Sequence, residues 1–270
     1  MPAVSAYIEL HAASAFSFLQ AASLPETLVD RAAALGYPAL ALLDRDGVYG
    51  APRFHRAAKT VGIRPIIGAE LTIRRAAADR LQASGGVGPE VSPPTESWAL
   101  PILVQSAEGY RNLCRLVTRM KLRAPKGEGA LTLEELDGHT AGLVALAGRE
   151  VLRARRYGVG GLLDRLIGLF GRGNVYVELQ RHLLRDEAAD TESLVDLAAA
   201  YHVPVVATGG VRFATPEERP LSDVLTCIHH GVTLETAGRQ LAENAERYLK
   251  TPAQMAALFG DVPQAIHATR

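Results

Sequence analysis

Short, largely apolar runs that alternate with helical segments constrain this chain more than any other feature. Ala39–Leu43, Leu143–Ala147, Val175–Leu179 and Val203–Ala207 are such runs. A strand covered on both faces shows this near-continuous apolarity, which is the mark of parallel sheets packed under helices. Between the runs the apolar period changes from that of strand to that of helix. Ser23-Leu24-Pro25-Glu26 has a capping-box pattern with proline in the first turn, and Leu28, Val29, Ala32 and Leu35 follow at helical spacing up to Gly36. Further helices are predicted over 52–61, 108–120, 161–170, 186–201 and 216–230, and further strands over 64–67 and 98–104. About seven βα units in series imply parallel pairing and right-handed crossovers. The fold class is α/β, and a distorted (β/α)7 barrel accommodates seven units better than an open sheet.

The first strand and its loop, Tyr7 to Ser17, deliver polar residues at a strand's C-terminal end, where barrels of this kind place their sites. A metal site there would want a second imidazole two residues after His11, on the same side of the strand. That position is Ala13. Other strand ends collect Asp44, Arg45, Glu70, His182 and Arg212.

With 29 basic and 29 acidic residues the chain has no net charge, so any contact with nucleic acid must be local. Arg153, Arg155 and Arg156 form a basic run without interleaved aromatics, and a solvated face accounts for them. His229-His230 ends a predicted helix, where the dipole favours positive charge. Cys114 and Cys227 sit in apolar helical patterns and read as free thiols in a reducing cytosol. The N-terminus has no basic start followed by an apolar core, and no apolar run is long enough to span a membrane, so a cytoplasmic protein is expected. Residues 75–96 dissolve into Ala, Gly, Ser and Pro and read as a mobile surface insertion, because the βα rhythm resumes after them. Residues 1–245 are read as the barrel, and 246–270 as a helical junction leading to something downstream.

Several motifs in order resemble one family. They are Glu9-Leu10-His11, Leu43-Asp44-Arg45-Asp46-Gly47-Val48-Tyr49-Gly50, Pro65-Ile66-Ile67-Gly68-Ala69-Glu70 and Glu108-Gly109-Tyr110-Arg111-Asn112-Leu113. Val177-Glu178-Leu179-Gln180-Arg181-His182, Val206-Ala207-Thr208 and Asp223-Val224-Leu225-Thr226-Cys227-Ile228 continue the series. Together they resemble the PHP (polymerase and histidinol phosphatase) domain of bacterial C-family DNA polymerase III α subunits. Asp46-Gly47 and Asn244-Ala245-Glu246-Arg247-Tyr248-Leu249 resemble the error-prone, damage-bypass branch.

The resemblance implies a seven-stranded barrel whose tips, in active members, hold up to three zinc, manganese or iron ions. His11, Glu70 and His182 stand where the family places ligands, and Asp44 where its motif puts an acid beside a ligand histidine. Ala13, Arg45 and Arg212 occupy histidine slots, Gly210 an aspartate slot, Gln20 lies near a loop acid, and Ala99 falls about where another histidine would. An arginine about 4 Å from a divalent ion would cost roughly 8 kcal/mol at an effective dielectric of 20. The expectation is therefore a metal-depleted barrel in which Arg45 and Arg212 fill the former metal space and pair with Glu70 and Asp44, leaving no ion or one weakly held zinc or manganese ion on His11, Glu70 and His182.

The function that follows is a structural scaffold and interaction module for translesion DNA synthesis. Its partners are the polymerase core of the same polypeptide, DNA through that core, and other replication or mutagenesis proteins. Nucleotidyl transfer would use Mg²⁺ on acidic residues beyond Arg270. The rivals are a metal-dependent phosphoesterase or 3′–5′ exonuclease using His11, Glu70 and His182, and an anion grip by Arg45 and Arg212.

Overall fold

The computed structural model describes residues 7–74, 97–125, 127–153, 158, 160–185 and 187–270. The expected insertion at 75–96, residue 186 at the start of one helix, and Arg155 and Arg156 of the basic run lie outside them. Seven strands form one sheet in sequence order: β1 (Glu9–Ala12), β2 (Ala39–Arg45), β3 (Arg64–Arg74), β4 (Ser97–Val104), β5 (Leu143–Ala147), β6 (Val175–Gln180) and β7 (Val205–Thr208). The helices are α1 (Pro25–Ala34), α2 (Ala51–Val61), α3 (Ala107–Leu122), α4 (Glu150–Arg153), α5 (Gly161–Phe170), α6 (Glu187–Tyr201), α7 (Arg219–His230), α8 (Leu234–Ala237), α9 (Pro252–Leu258) and α10 (Pro263–His267).

The sheet nearly closes. Just past β7, Val211 bridges to Ala12; the Ala13 N–H donates to its carbonyl and its own N–H donates to the His11 carbonyl, both at 2.9 Å. One expectation is corrected. Pairing is parallel for β1–β2–β3 and β5–β6–β7, but β4 runs antiparallel to both β3 and β5. The reversal falls across residues 75–96, which join β3 to β4 and lie outside the described residues. The long β3 and β4 pair from Gly68↔Leu103 to Arg74↔Ser97.

Alternation along the strands sorts side chains into two cores. Leu40 and Leu42, Ala69 and Leu71, and Val177 and Leu179 face outward against Leu28, Val29 and Phe54 of the helices and their neighbours. Ala39, Ala41, Leu43, Leu103, Leu146 and Val206 fill the barrel interior with Leu10. The tail packs into the same outer core: Leu249, Met255, Phe259, Ala265 and Ile266 are all buried there. Residues 246–270 therefore clasp the barrel, with the Tyr37 hydroxyl donating to the Lys250 carbonyl at 2.6 Å and the Ile8 N–H donating to the Thr269 hydroxyl at 3.3 Å.

The Glu108–Leu113 motif is explained by packing. The Ser106 hydroxyl caps α3 by accepting the Gly109 N–H at 3.1 Å, and the Asn112 amide donates to the Ala141 carbonyl at 3.0 Å. A Cβ on Gly109 would run into the Gly142 carbonyl. Backbone meets backbone here, and neither can swing aside. Gly109→Ala is expected to cost about 2–3 kcal/mol, read as a lower urea midpoint at unchanged slope; an unchanged midpoint would mean that α3 can slide.

Candidate functional site

The strand tips owe their content to a bulge and to alternation. Glu9 pairs with Leu40 and Ala12 with Leu42, so three steps along β1 match two along β2. One extra residue in β1 lets Leu10 and His11 both turn into the barrel, whereas strict alternation would send one of them out. On β2, β3, β6 and β7 the inward parity at the C-terminal end delivers Arg45, Glu70 and Thr72, Glu178 and Gln180, and Thr208.

His11 is the hub. Its Nε2 lies 2.6 Å from Glu70 Oε1 and its Nδ1 2.6 Å from Glu178 Oε1. Burial opposes the imidazolium, but the charges and hydrogen bonds of Glu178 and Glu70 prevail and push its pKa up to about 10. The doubly protonated ring therefore donates to both carboxylates at neutral pH. Glu178 also accepts the Thr208 hydroxyl at 2.6 Å; burial raises its pKa, yet His11, Thr208 and Gln180 together hold it below the ordinary range. Glu70, almost wholly buried, accepts Arg212 Nη2 at 2.7 Å and has Arg45 Nη1 3.6 Å from its other oxygen. Burial is again outweighed, here by Arg212, His11 and Arg45, and the carboxyl stays ionised far below its usual range.

Arg45 and Arg212 thus converge on Glu70. The expected pairing of an arginine with Asp44 is not what forms. Asp44 Oδ1 accepts the Ser14 N–H and the Ser14 and Ser17 hydroxyls at 2.8–3.0 Å, and Oδ2 accepts the Gly50 N–H at 3.1 Å. It pins the loop after β1 to the loop after β2, because a buried carboxylate is satisfied as well by fixed local donors as by a cation. Arg45 instead donates from Nε to the Thr72 hydroxyl at 3.0 Å, with Asp46 3.7 Å away.

His182 stands apart from this cluster. Its Nε2 donates to the Gly209 carbonyl at 2.8 Å and its Nδ1 lies 3.3 Å from Glu187. Burial and then Arg247 press its pKa down to about 4, so the ring is neutral. The structure therefore brings His11, Glu70, Arg45 and Arg212 together and leaves Asp44 and His182 in neighbouring networks. Gly210 has a φ of 55°, and a Cβ there would come within 2.6 Å of the Gln180 amide oxygen, so Gly210 and Gln180 fit one another.

Three groups were missed. Glu9 accepts the Tyr7 hydroxyl, the Gly209 N–H and the His11 N–H at 2.8–2.9 Å; burial pushes its pKa up to about 7 against those donors. Glu178 is the second carboxylate on His11. Arg247 donates weakly to the Gly210 carbonyl at 3.4 Å, and burial, then the nearby Arg212, lower its pKa to about 10. Inward parity in Val177-Glu178-Leu179-Gln180 was a readable signal for Glu178; nothing local marks Arg247.

Among the described residues, no three His, Cys, Asp or Glu side chains are disposed so as to hold a metal ion, and no helix is long and apolar enough to cross a membrane. The PHP domain family model matches residues 9–182. The chain is 39% identical over 267 residues to an error-prone DNA polymerase from Anaeromyxobacter sp. (strain K), covering 97% of this chain and 22% of that protein. It is 37% identical over 271 residues to an error-prone DNA polymerase from Mycolicibacterium paratuberculosis, covering 97% and 24%. The chain thus spans about a quarter or less of the length of these curated relatives. Among solved structures, a candidate metal-dependent phosphoesterase from Bifidobacterium adolescentis superposes with a TM-score of 0.52 at 14% identity, covering 76% of this chain and 87% of that one. An amidohydrolase from Chromobacterium violaceum, whose structure holds sulfate and no metal, gives 0.52 at 16% identity, covering 77% and 88%. These likenesses agree with the barrel. With the family model spanning most of the chain, and identity to error-prone DNA polymerases nearly end to end, this chain belongs to the PHP domain family.

Proposed function

We propose that this chain is the PHP barrel of an error-prone DNA polymerase, a cytoplasmic scaffold for the polymerase core of the same polypeptide during translesion synthesis. In this reading a network of fixed cations stands where metal-bearing relatives hold ions. The observation that carries it is the state of His11: both ring nitrogens are committed to Glu70 and Glu178, and Glu70 is further committed to Arg212. A divalent ion needs the lone pair of a neutral imidazole and free carboxylate oxygens. Here the ring carries both protons, and two guanidinium groups crowd the carboxylate. The donor set does not fit a metal centre.

Elemental analysis of the purified chain, followed by titration with Zn²⁺ and Mn²⁺ and by melting before and after chelation, tests this. Negligible metal, no binding tighter than millimolar and an unchanged melting temperature are expected. Two or three tightly held ions per chain, or a melting temperature that collapses on chelation, would overturn the reading in favour of a metal-dependent phosphoesterase or 3′–5′ exonuclease.

A further inference from the structure

Leu221, Val224, Leu225 and Ile228 recur along α7 at i, i+3, i+4 and i+7, the spacing of a helix with one apolar face to bury. The fold does not bury it. Cys227 is the one buried side chain of α7, whereas Leu221, Val224 and Ile228 are 49%, 41% and 59% exposed. Leu234 of α8 adds a fourth at 52%. Nowhere else among the described residues do four large apolar side chains stand exposed within so short a stretch. A helix of three turns gains little from propensity and owes its stability in a protein to a covered apolar face. A contiguous exposed patch of this kind marks a surface that a partner covers. The Asp223–Ile228 motif lies on this helix, and the packing of the barrel does not account for it.

Charge and area decide the occupant. Arg219 is spent on Asp223, 2.6 Å away, and on the Ala242 carbonyl, and α7 and α8 carry no lysine and no second arginine. A phosphate backbone or an anionic lipid surface would need free cations beside the stripe. An apolar protein surface needs none. The stripe offers on the order of a few hundred Å², against roughly 800 Å² per partner in a stable complex of separate molecules. That is too little to hold a second copy. A domain tethered in the same polypeptide needs less, because the tether supplies an effective concentration of about millimolar. In the error-prone DNA polymerases that match this chain nearly end to end, the matched stretch is 22% and 24% of the protein, so most of each polypeptide lies outside it.

We propose that Leu221, Val224, Ile228 and Leu234 form the face on which the polymerase core of the same polypeptide docks. The proposal rests on the reading of this chain as the barrel of an error-prone DNA polymerase and adds to that reading the surface of contact.

Hydrogen exchange tests it, read over residues 219–237 in this chain alone and in the full-length polypeptide that carries it. Exchange at least tenfold slower in the full-length protein is expected. Leu221→Glu combined with Ile228→Glu should return that exchange to the rate of the isolated chain. The same pair should move the melting temperature of the isolated chain by less than about 2 °C, since both side chains already meet water there. A larger drop would place the stripe in the barrel's own core and overturn the face. Equal exchange in the two proteins overturns it as well, and leaves the scaffold reading standing with its contact elsewhere. A full-length polypeptide without a polymerase core overturns both. Sedimentation of the isolated chain should show a monomer; a dimer that Leu221→Glu dissolves would give the stripe to a second copy and overturn the proposal.

Discussion

Glu70→Ala is expected to destabilise the chain by roughly 3–5 kcal/mol, the range found when one partner of a buried ion pair is removed. Glu70 is the carboxylate on which His11, Arg45 and Arg212 converge. Without it, the Arg212 head loses its bonded counter-ion, and His11 keeps only Glu178. The protein can respond by shedding the His11 proton from Nε2, which limits the loss, but the donation to Glu70 that helped to fix the ring is gone. Glu70→Gln should be less damaging, because an amide oxygen still accepts one hydrogen bond, yet it leaves the cations unneutralised. Urea unfolding at neutral pH reads both. A loss below about 1 kcal/mol for the alanine variant would mean that the arginines behave as solvated surface charges and the network does not hold the barrel together.

The second large effect is on pH. The His11 pKa lies at about 10, above the usual 6.5 for the unfolded chain. A group raised in this way contributes stability fully below pH 6.5 and loses it as pH climbs through 10. At about 1.4 kcal/mol per pKa unit the ceiling is near 5 kcal/mol, and a loss on the order of 3 kcal/mol between pH 7 and 10 is expected once the site relaxes. Two other groups shape the acid side, with opposite signs. Glu9 at about 7 imposes a penalty that is full above pH 7 and relieved as pH falls toward 4.5. His182 at about 4 costs stability as pH falls from 6.5 through 4, since the unfolded chain takes up its proton first. Melting curves from pH 5 to 10, for wild type and His11→Gln, isolate the alkaline limb. His11→Gln should flatten it; an equally steep decline in the variant would place the titrating group elsewhere.

Much of this was legible in the residues. Apolar runs such as Ala39–Leu43 read as covered strands, and the convergence of Arg45 and Arg212 on Glu70 was expected from their shared place at the strand ends, Arg45 and Glu70 on adjacent strands and Arg212 just past β7. What escaped did so for physical reasons. β4 reads as apolar whichever way it runs, since burial on both faces leaves no mark of direction. Asp44 was assigned to a cation because a buried charge needs neutralising, but Ser14, Ser17 and the Gly50 N–H satisfy it through dipoles alone. The bulge in β1 depends on how two strands register. Neither strand carries that information by itself.

The clasp between Ile8 and Thr269 closes a loop of 261 residues, and this sets a timetable for synthesis. At about 5–20 residues per second, the first strand emerges roughly 10–50 s before the residue that fastens it. For much of that interval β1 lacks Val211 on one side, Glu9 lacks the Gly209 N–H, and His11 waits on Glu178. The half of the barrel that carries the hub is made first and completed last. A nascent chain therefore presents an unpaired strand edge, with buried charges not yet neutralised, while the strands up to β7 are being made. Chaperone demand and sensitivity to ribosome stalling should be concentrated there.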